Sequence, residues 1–188
     1  MSAVFTPTRA KISVERFHKM AEAGVFAAED RIELIEGEML TMAPIGGPHM
    51  SMVNRLNALL VRAVGDRGVV SVQNPVALPP DSEPLPDIVV LKPSAAALSA
   101  VVPGPADVLL VIEVADSTLR YDRDVKVPLY SRQGIREAWI VDLQARRIVV
   151  FREPGPGGYA RRLEIGPKDA VVLEALPEVT VEWNRVFA

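Results

Sequence analysis

The chain predicts a mixed α/β (α+β) fold around one core, and three observations carry that expectation. Apolar residues recur at helical spacing from Met52 to Ala63. Runs rich in Val, Ile and Leu occupy residues 69–72, 87–91, 108–114 and 138–142. The two kinds of segment follow one another as helix, strands, helix, strands, helix, strands. At 188 residues and 49% hydrophobic, the chain is long enough to bury roughly 70% of its unfolded surface in a single domain. That domain is expected to span residues 1–188, with residues 1–12 as a flexible arm.

The first helix is expected after Ser13, whose hydroxyl suits an N-cap before the amphipathic run from Val14 to Ala21. Residues 31–42 alternate imperfectly around Gly37, which predicts two short strands joined by a tight turn or a kink. Pro48 opens the second helix, whose apolar face of Met52, Leu56, Leu59, Leu60 and Ala63 should pack on a sheet before Gly65 and Gly68 end it. Of the strands that follow, 87–91 and 108–114 are apolar enough to be central. Tyr121–Gln133, ended by Gly134, predicts a second long helix, with Tyr130 and Trp139 filling the core between that helix and the strand over 138–142. Residues 147–152 and 159–163 should pair across the Pro154–Gly158 loop, leaving 170–188 as a closing edge segment.

Composition excludes several function classes. There is no cysteine and there are two histidines, so thiolate and histidine-rich metal sites drop out and any metal must be held by oxygen. The apolar stretches are broken well short of the ~20 residues that span a bilayer. No basic-then-apolar leader is visible, so a soluble, cytoplasmic protein is expected. A net charge of −3 gives no global pull toward nucleic acid. Basic residues do cluster at Arg120, Arg123, Lys126, Arg132 and Arg136, then at Arg146, Arg147, Arg152, Arg161 and Arg162. Solvated helix and hairpin faces account for most of them.

Asp87 and Glu113 are the leading candidates for chemistry. Each sets a carboxylate in an apolar strand, where it must be paired, protonated or bound to a cation. Two such acids on neighbouring strands supply the minimum that Mg²⁺ or Mn²⁺ requires, because these ions take oxygen ligands and keep several waters. The alternative is a structural acid that caps a strand end or pairs with an arginine. In an Asp…Glu-x-Lys arrangement the lysine shares the strand face of the glutamate, but that place here holds Ala115. Lys126 is the first lysine able to reach the site from the following helix; as a bland alternative it pairs on the surface with Asp122. Glu33 or Glu36 could add a third carboxylate. His49 opens a helix, where a neutral, hydrogen-bonding role is open to it alongside simple capping. Gln73 faces the cleft or merely ends a strand. If Asp87 sits in a cluster of acids, Asp87→Asn should be at least as stable as the wild type without metal.

The run from Ile112 to Tyr130, which contains Glu113, Arg123 and Lys126, and then Gly134 to Asp142, closely resembles the Uma-two family of restriction-endonuclease-like proteins. Residues 32–38, Pro48-His49, 73–76 and 86–88 match as well, so the resemblance covers nearly the whole chain. It implies the PD-(D/E)XK nuclease fold, a mixed central sheet flanked by helices, with a divalent metal on Asp87 and Glu113. Lys126 becomes a relocated lysine and Glu33 the preferred third acid. Asp116-Ser117 stands where many members carry Ser-Pro, which alters the turn after the strand.

The expected function is therefore a Mg²⁺-dependent (or Mn²⁺-dependent) endonuclease that cleaves DNA, active as a homodimer. The rival reading, favoured by Ala115, is a non-catalytic nucleic-acid-binding or assembly module that keeps the fold. Hydrolysis of a small phosphate ester is a third.

Overall fold

The computed structural model describes residues 9–27, 29–42, 44, 46–94 and 101–188. The first eight residues of the expected arm lie outside them. The chain divides into two compact units, Met1–Ala43 with Ala77–Pro84, and Pro44–Val76 with Leu85–Ala188. Among the described residues no helix is long and apolar enough to cross a membrane.

The smaller unit begins with helix α1, Val14–Glu22, capped by Ser13, whose Oγ accepts the Arg16 N–H at 3.3 Å. Strands β1, Ile32–Ile35, and β2, Glu38–Thr41, form an antiparallel hairpin. Its two turn residues, Glu36 and Gly37, both have positive φ, 49° and 81°, as a two-residue hairpin turn demands. Gly37 is irreplaceable on space as well, since a Cβ there would lie 2.6 Å from Cβ of Lys11. The end of the expected arm is tied to this turn, for the Ile12 N–H reaches the Gly37 carbonyl at 3.1 Å. Residues 78–83 complete the unit. Leu34 and Glu83 exchange backbone hydrogen bonds at 3.2 and 2.6 Å, and Nε2 of His18 lies 2.6 Å from Oε2 of Glu83.

The larger unit is a six-stranded mixed sheet. Its strands are β3 Val69–Val72, β4 Ile88–Leu91, β5 Val108–Ala115, β6 Glu137–Asp142, β7 Arg147–Arg152 and β8 Arg161–Ile165, in that spatial order. Only β5 and β6 are parallel; the other neighbours run antiparallel. A parallel pair needs a crossover connection, and here it contains the segment expected as the second long helix.

One face of the sheet is covered by α2, Gly47–Val64, which brings Met52, Val53, Leu56, Leu60 and Val64 onto Ile88, Leu110, Ile112, Val114, Trp139, Val141 and Val150. Each such side chain contributes ~1.5–3 kcal/mol on burial, so this layer outweighs any single polar pair in holding the sheet. Residues 170–188, expected to close the edge of the sheet, instead fold into a separate antiparallel hairpin, β9 Ala170–Val172 with β10 Thr180–Glu182, followed by α5, Trp183–Val186. Val171, Leu173, Val179, Val181, Val186 and Phe187 join the same cluster as α2, so the segment thickens that layer rather than extending the sheet. Beneath it, Glu137 is fully buried. It accepts from Trp139 Nε1 at 2.9 Å, from Arg152 at 3.0 and 2.6 Å and from the Glu174 N–H at 2.7 Å.

Three further departures have local causes. Trp139 lies on the α2 side and not beside Tyr130, because its register partner is Ile112 while Glu113 pairs with Ile140. The strand expected over 159–163 is shifted to Arg161–Ile165, as a turn closed by the Ala160 N–H on the Glu153 carbonyl precedes it. The helix expected over 121–133 begins earlier and is wound in three parts: α3 Leu119–Tyr121, a π turn Asp122–Lys126 and α4 Val127–Arg132. Pro128 has no N–H to continue α-type bonding. Just before it, the Val127 N–H reaches back five residues to the Asp122 carbonyl, which adds a residue to the turn.

Candidate active site

The β4–β5 register, in which Ile88 faces Ile112, brings Asp87 level with Glu113 at the start of β4. Asp87 lies in the bend just before β4, with its carboxylate on the Val114 N–H, while strand alternation sets Glu113 on the face opposite Ile112 and Val114, the face from which Lys126 and Tyr130 of the crossover reach it. Both are buried, at 9% and 3% exposure. Their partners differ in kind, and that difference defines the site.

Asp87 is surrounded by donors. Its Oδ2 accepts from Nε2 of His49 and from the Val114 N–H, both at 2.9 Å, and Oδ1 accepts from the Gln73 amide at 3.2 Å. Burial pushes this carboxyl up, but the hydrogen bond and positive charge of His49, with the Val114 and Gln73 donors, outweigh it and hold the group below its ordinary value. His49 is delivered by the first turn of α2, which starts at Gly47. A carboxylate oxygen only accepts, so Nε2 carries the hydrogen in this contact. Gln73 holds Asp87 twice, for its backbone N–H also donates to the Asp87 carbonyl at 3.1 Å. To do so it adopts φ 53°, a left-handed conformation that costs a non-glycine residue about 1–2 kcal/mol. Strain of this kind concentrates at functional sites.

Among the partners of Glu113 are an ammonium and a hydroxyl. Nζ of Lys126 lies 3.0 Å from its Oε1, and the Tyr130 hydroxyl donates to the same oxygen at 2.5 Å. Lys126 is 1% exposed, so its place in the fold is interior rather than the surface pairing with Asp122. Asp122 is itself buried and accepts from the Thr118 hydroxyl at 2.6 Å. Lys126 ends the π turn and Tyr130 stands one helical turn later, so one side of the crossover presents both groups to Glu113.

The remaining candidate, Glu33, is fully buried on β1 of the smaller unit, where its register partner is Leu40. Glu36 is an exposed turn residue. Among the clustered arginines, Arg123, Arg147, Arg152 and Arg162 each reach a carboxylate, as solvated or structural pairs do.

The composition of the donor set decides what it can hold. Asp87 and Glu113 offer carboxylate oxygen alone, which suits a hard cation that keeps most of its waters. Among the described residues no group of three or more His, Asp or Glu side chains is disposed to hold a metal. A hard cation on these two carboxylates would share Asp87 with His49, Gln73 and the Val114 N–H, and Glu113 with Lys126 and Tyr130 among its partners.

Sequence reasoning missed Tyr130 and the Val114 N–H. The first carried a signal, since a tyrosine four residues from Lys126 in an apolar helix needs a buried partner for its hydroxyl. The second did not, because backbone donors are set by pairing.

The Uma2 family profile, described as "Putative restriction endonuclease", matches residues 14–184, and the chain belongs to that family. A solved structure described as a "putative nuclease belonging to DUF820", from Anabaena variabilis ATCC 29413, superposes with a TM-score of 0.73 at 17% identity, over 94% of this chain and 97% of that one. At that identity the likeness concerns the fold. No curated protein matches.

Proposed function

We propose that the protein is a divalent-metal-dependent endonuclease that hydrolyses phosphodiester bonds of DNA, with Asp87 and Glu113 as the ligands of Mg²⁺ or Mn²⁺. The observation that carries this reading is the convergence of Lys126 on a buried Glu113 level with a buried Asp87. When bound, the ion would supply Lewis-acid polarisation of the phosphate and a more acidic water. The chain does the rest. Asp87, kept ionised by His49, Gln73 and the Val114 N–H, offers a preorganised oxygen pair. Lys126 carries a positive charge on a buried stem, suited to stabilising charge that develops on the phosphate. His49 and Gln73 fix the orientation of Asp87 and touch no reacting atom.

A panel of duplex, single-stranded and branched DNA and of RNA, incubated with Mg²⁺, Mn²⁺ or chelator, tests this. Cleavage should require the ion and be lost in Glu113→Gln. Metal-independent cleavage, or none on any substrate, would overturn it. A homodimer acting in the cytoplasm belongs to the same reading, and ultracentrifugation tests the dimer.

One observation favours the rival, a nucleic-acid-binding module without catalysis: both acids already have partners within the protein, so they could serve the fold alone. Under that reading DNA binding persists in Asp87→Asn, and added metal changes neither binding nor melting.

A further inference from the structure

We infer that the pocket between α2 and the β6–β7 turn, lined by Arg55 and Arg146, binds a second phosphate of the DNA backbone, one that flanks the phosphate held at Asp87 and Glu113. The inference rests on the reading of DNA as the substrate and deepens it by naming a contact outside the acids.

The pocket has a volume of about 240 Å³, and Ser51, Met52 and Arg55 of α2, Leu143 and Arg146 of the turn, and Phe187 are among the residues that line it. At ~30 Å³ per water, it admits a phosphate group with part of its hydration. Its place follows from the sheet. β6 ends at Asp142 beside Ala115, two residues past Glu113, and α2 carries His49 to Asp87 just before Ser51. The pocket and the acids therefore share one end of the sheet.

Its lining carries positive charge. Arg67, Arg123, Arg147, Arg152 and Arg162 each reach a carboxylate, whereas among the described residues no Asp or Glu side chain pairs with Arg55 or Arg146. Arg55 donates to the Val186 and Ala188 carbonyls, at 3.2 and 2.5 Å. Arg146 donates to the Phe187 carbonyl, with its guanidinium carbon 5.5 and 5.6 Å from the Trp183 and Phe187 ring centres. A guanidinium has five N–H donors, so these contacts fix both groups and leave most of their donors for a ligand. Asp142 and Asp116, the acids next to the turn, are engaged by Arg147 with the Ala145 N–H and by Gln144. Arg146 also holds φ 50°, a left-handed conformation that glycine takes without steric cost; the turn carries instead a strained residue whose side chain lines the pocket. Two guanidiniums on one cavity suit phosphate, whose oxygens match their planar forks.

Binding of a fluorescent DNA duplex to the full chain in chelator, followed across a range of salt concentrations, tests this. Arg55→Gln/Arg146→Gln keeps an amide donor for the carbonyls and drops both charges. Its plot of log affinity against log salt should be shallower than the wild type's by about 0.9, the value of one phosphate, which makes binding roughly eightfold weaker at about 0.1 M salt. Arg161→Gln/Arg162→Gln makes the same change of charge at the other end of the sheet, where β8 starts, and should keep the slope. An equal fall in both variants would be a general charge effect and overturns the inference. So does an unchanged slope with a lower melting temperature, the mark of arginines that only cap carbonyls. Titration with inorganic phosphate by calorimetry separates the other source: if the Arg55/Arg146 variant loses that binding and keeps its duplex slope, the pocket takes free phosphate and the inference fails. A wild type that binds duplex without cleaving it sinks the nuclease reading and spares the pocket; cleavage with an unchanged slope does the reverse, and no duplex binding overturns both. Should the double variant not fold, Ser51→Glu, which adds a carboxylate at an exposed position of α2, is held to the same slope.

Discussion

Nε2 of His49 stands 2.9 Å from Oδ2 of Asp87, an oxygen that also takes the Val114 N–H at the same distance. A side chain at a helix start and a backbone amide inside a strand thus meet on one carboxylate, which ties α2 to β5 through a single charged atom.

The first consequence is for stability. The expectation that Asp87→Asn relieves repulsion reverses, because the groups around Asp87 are donors. An asparagine keeps one acceptor and turns an N–H₂ toward them, so the variant should lose ~1–3 kcal/mol at neutral pH without metal. Urea unfolding in chelator measures it, and an unchanged midpoint would mean the shell adds nothing to the fold.

The same shell sets an acid response. The folded pKa of Asp87 lies below its ordinary 3.8, so the unfolded chain binds this proton first as pH falls. Its contribution is complete above the ordinary value and is lost as pH drops through the folded one. Melting temperature should therefore fall more steeply below about pH 4 in the wild type than in Asp87→Asn. Parallel curves would show that other carboxylates govern acid unfolding.

Lys126→Ala should be costly whatever the enzyme does. It would take the ammonium from a Glu113 that is 3% exposed, and removing one partner of a buried pair typically costs about 3–5 kcal/mol. Lys126→Met combined with Glu113→Gln, which leaves no charge behind, should recover most of that loss. Equal destabilisation of the single and double variants would place the cost in packing instead.

At Gln73 two substitutions separate backbone from side chain. Both Gln73→Gly and Gln73→Ala remove the amide that holds Asp87, but glycine accepts φ 53° without the steric penalty. The glycine variant should be the more stable by roughly 1 kcal/mol. If alanine matches glycine in a denaturant titration, the left-handed conformation is not held in solution.

The apolar runs that became β3 to β7 were legible because each carries its own β-branched signature, and the Glu36-Gly37 turn announced the first hairpin. Alternation also set Glu113 on the face of Val111 and Ala115. It could not say which helix covers which face, since that follows from the β5–β6 register; hence Trp139 was expected beside Tyr130. Nor could spacing show that residues 170–188 leave the sheet, because edge pairing and layer packing ask for the same alternating valines. The acids were visible as charges in apolar strands. Their partners were not, because His49, Gln73 and Val114 come together only through long-range pairing.

The π turn over Asp122–Lys126 divides what this protein can vary from what it cannot. An α-helix advances by about 100° per residue, so deleting one residue within the turn would restore regular winding and swing Leu119–Tyr121 around the axis while Lys126 and Tyr130 kept their spacing. Glu113, fixed by the sheet ladder, would not move. A lysine at the Ala115 position would have no such freedom, for any insertion there breaks the strand that carries Glu113. With its cation on a helix, the chain leaves the start of that helix open to revision one codon at a time and keeps the strand of Glu113 unedited.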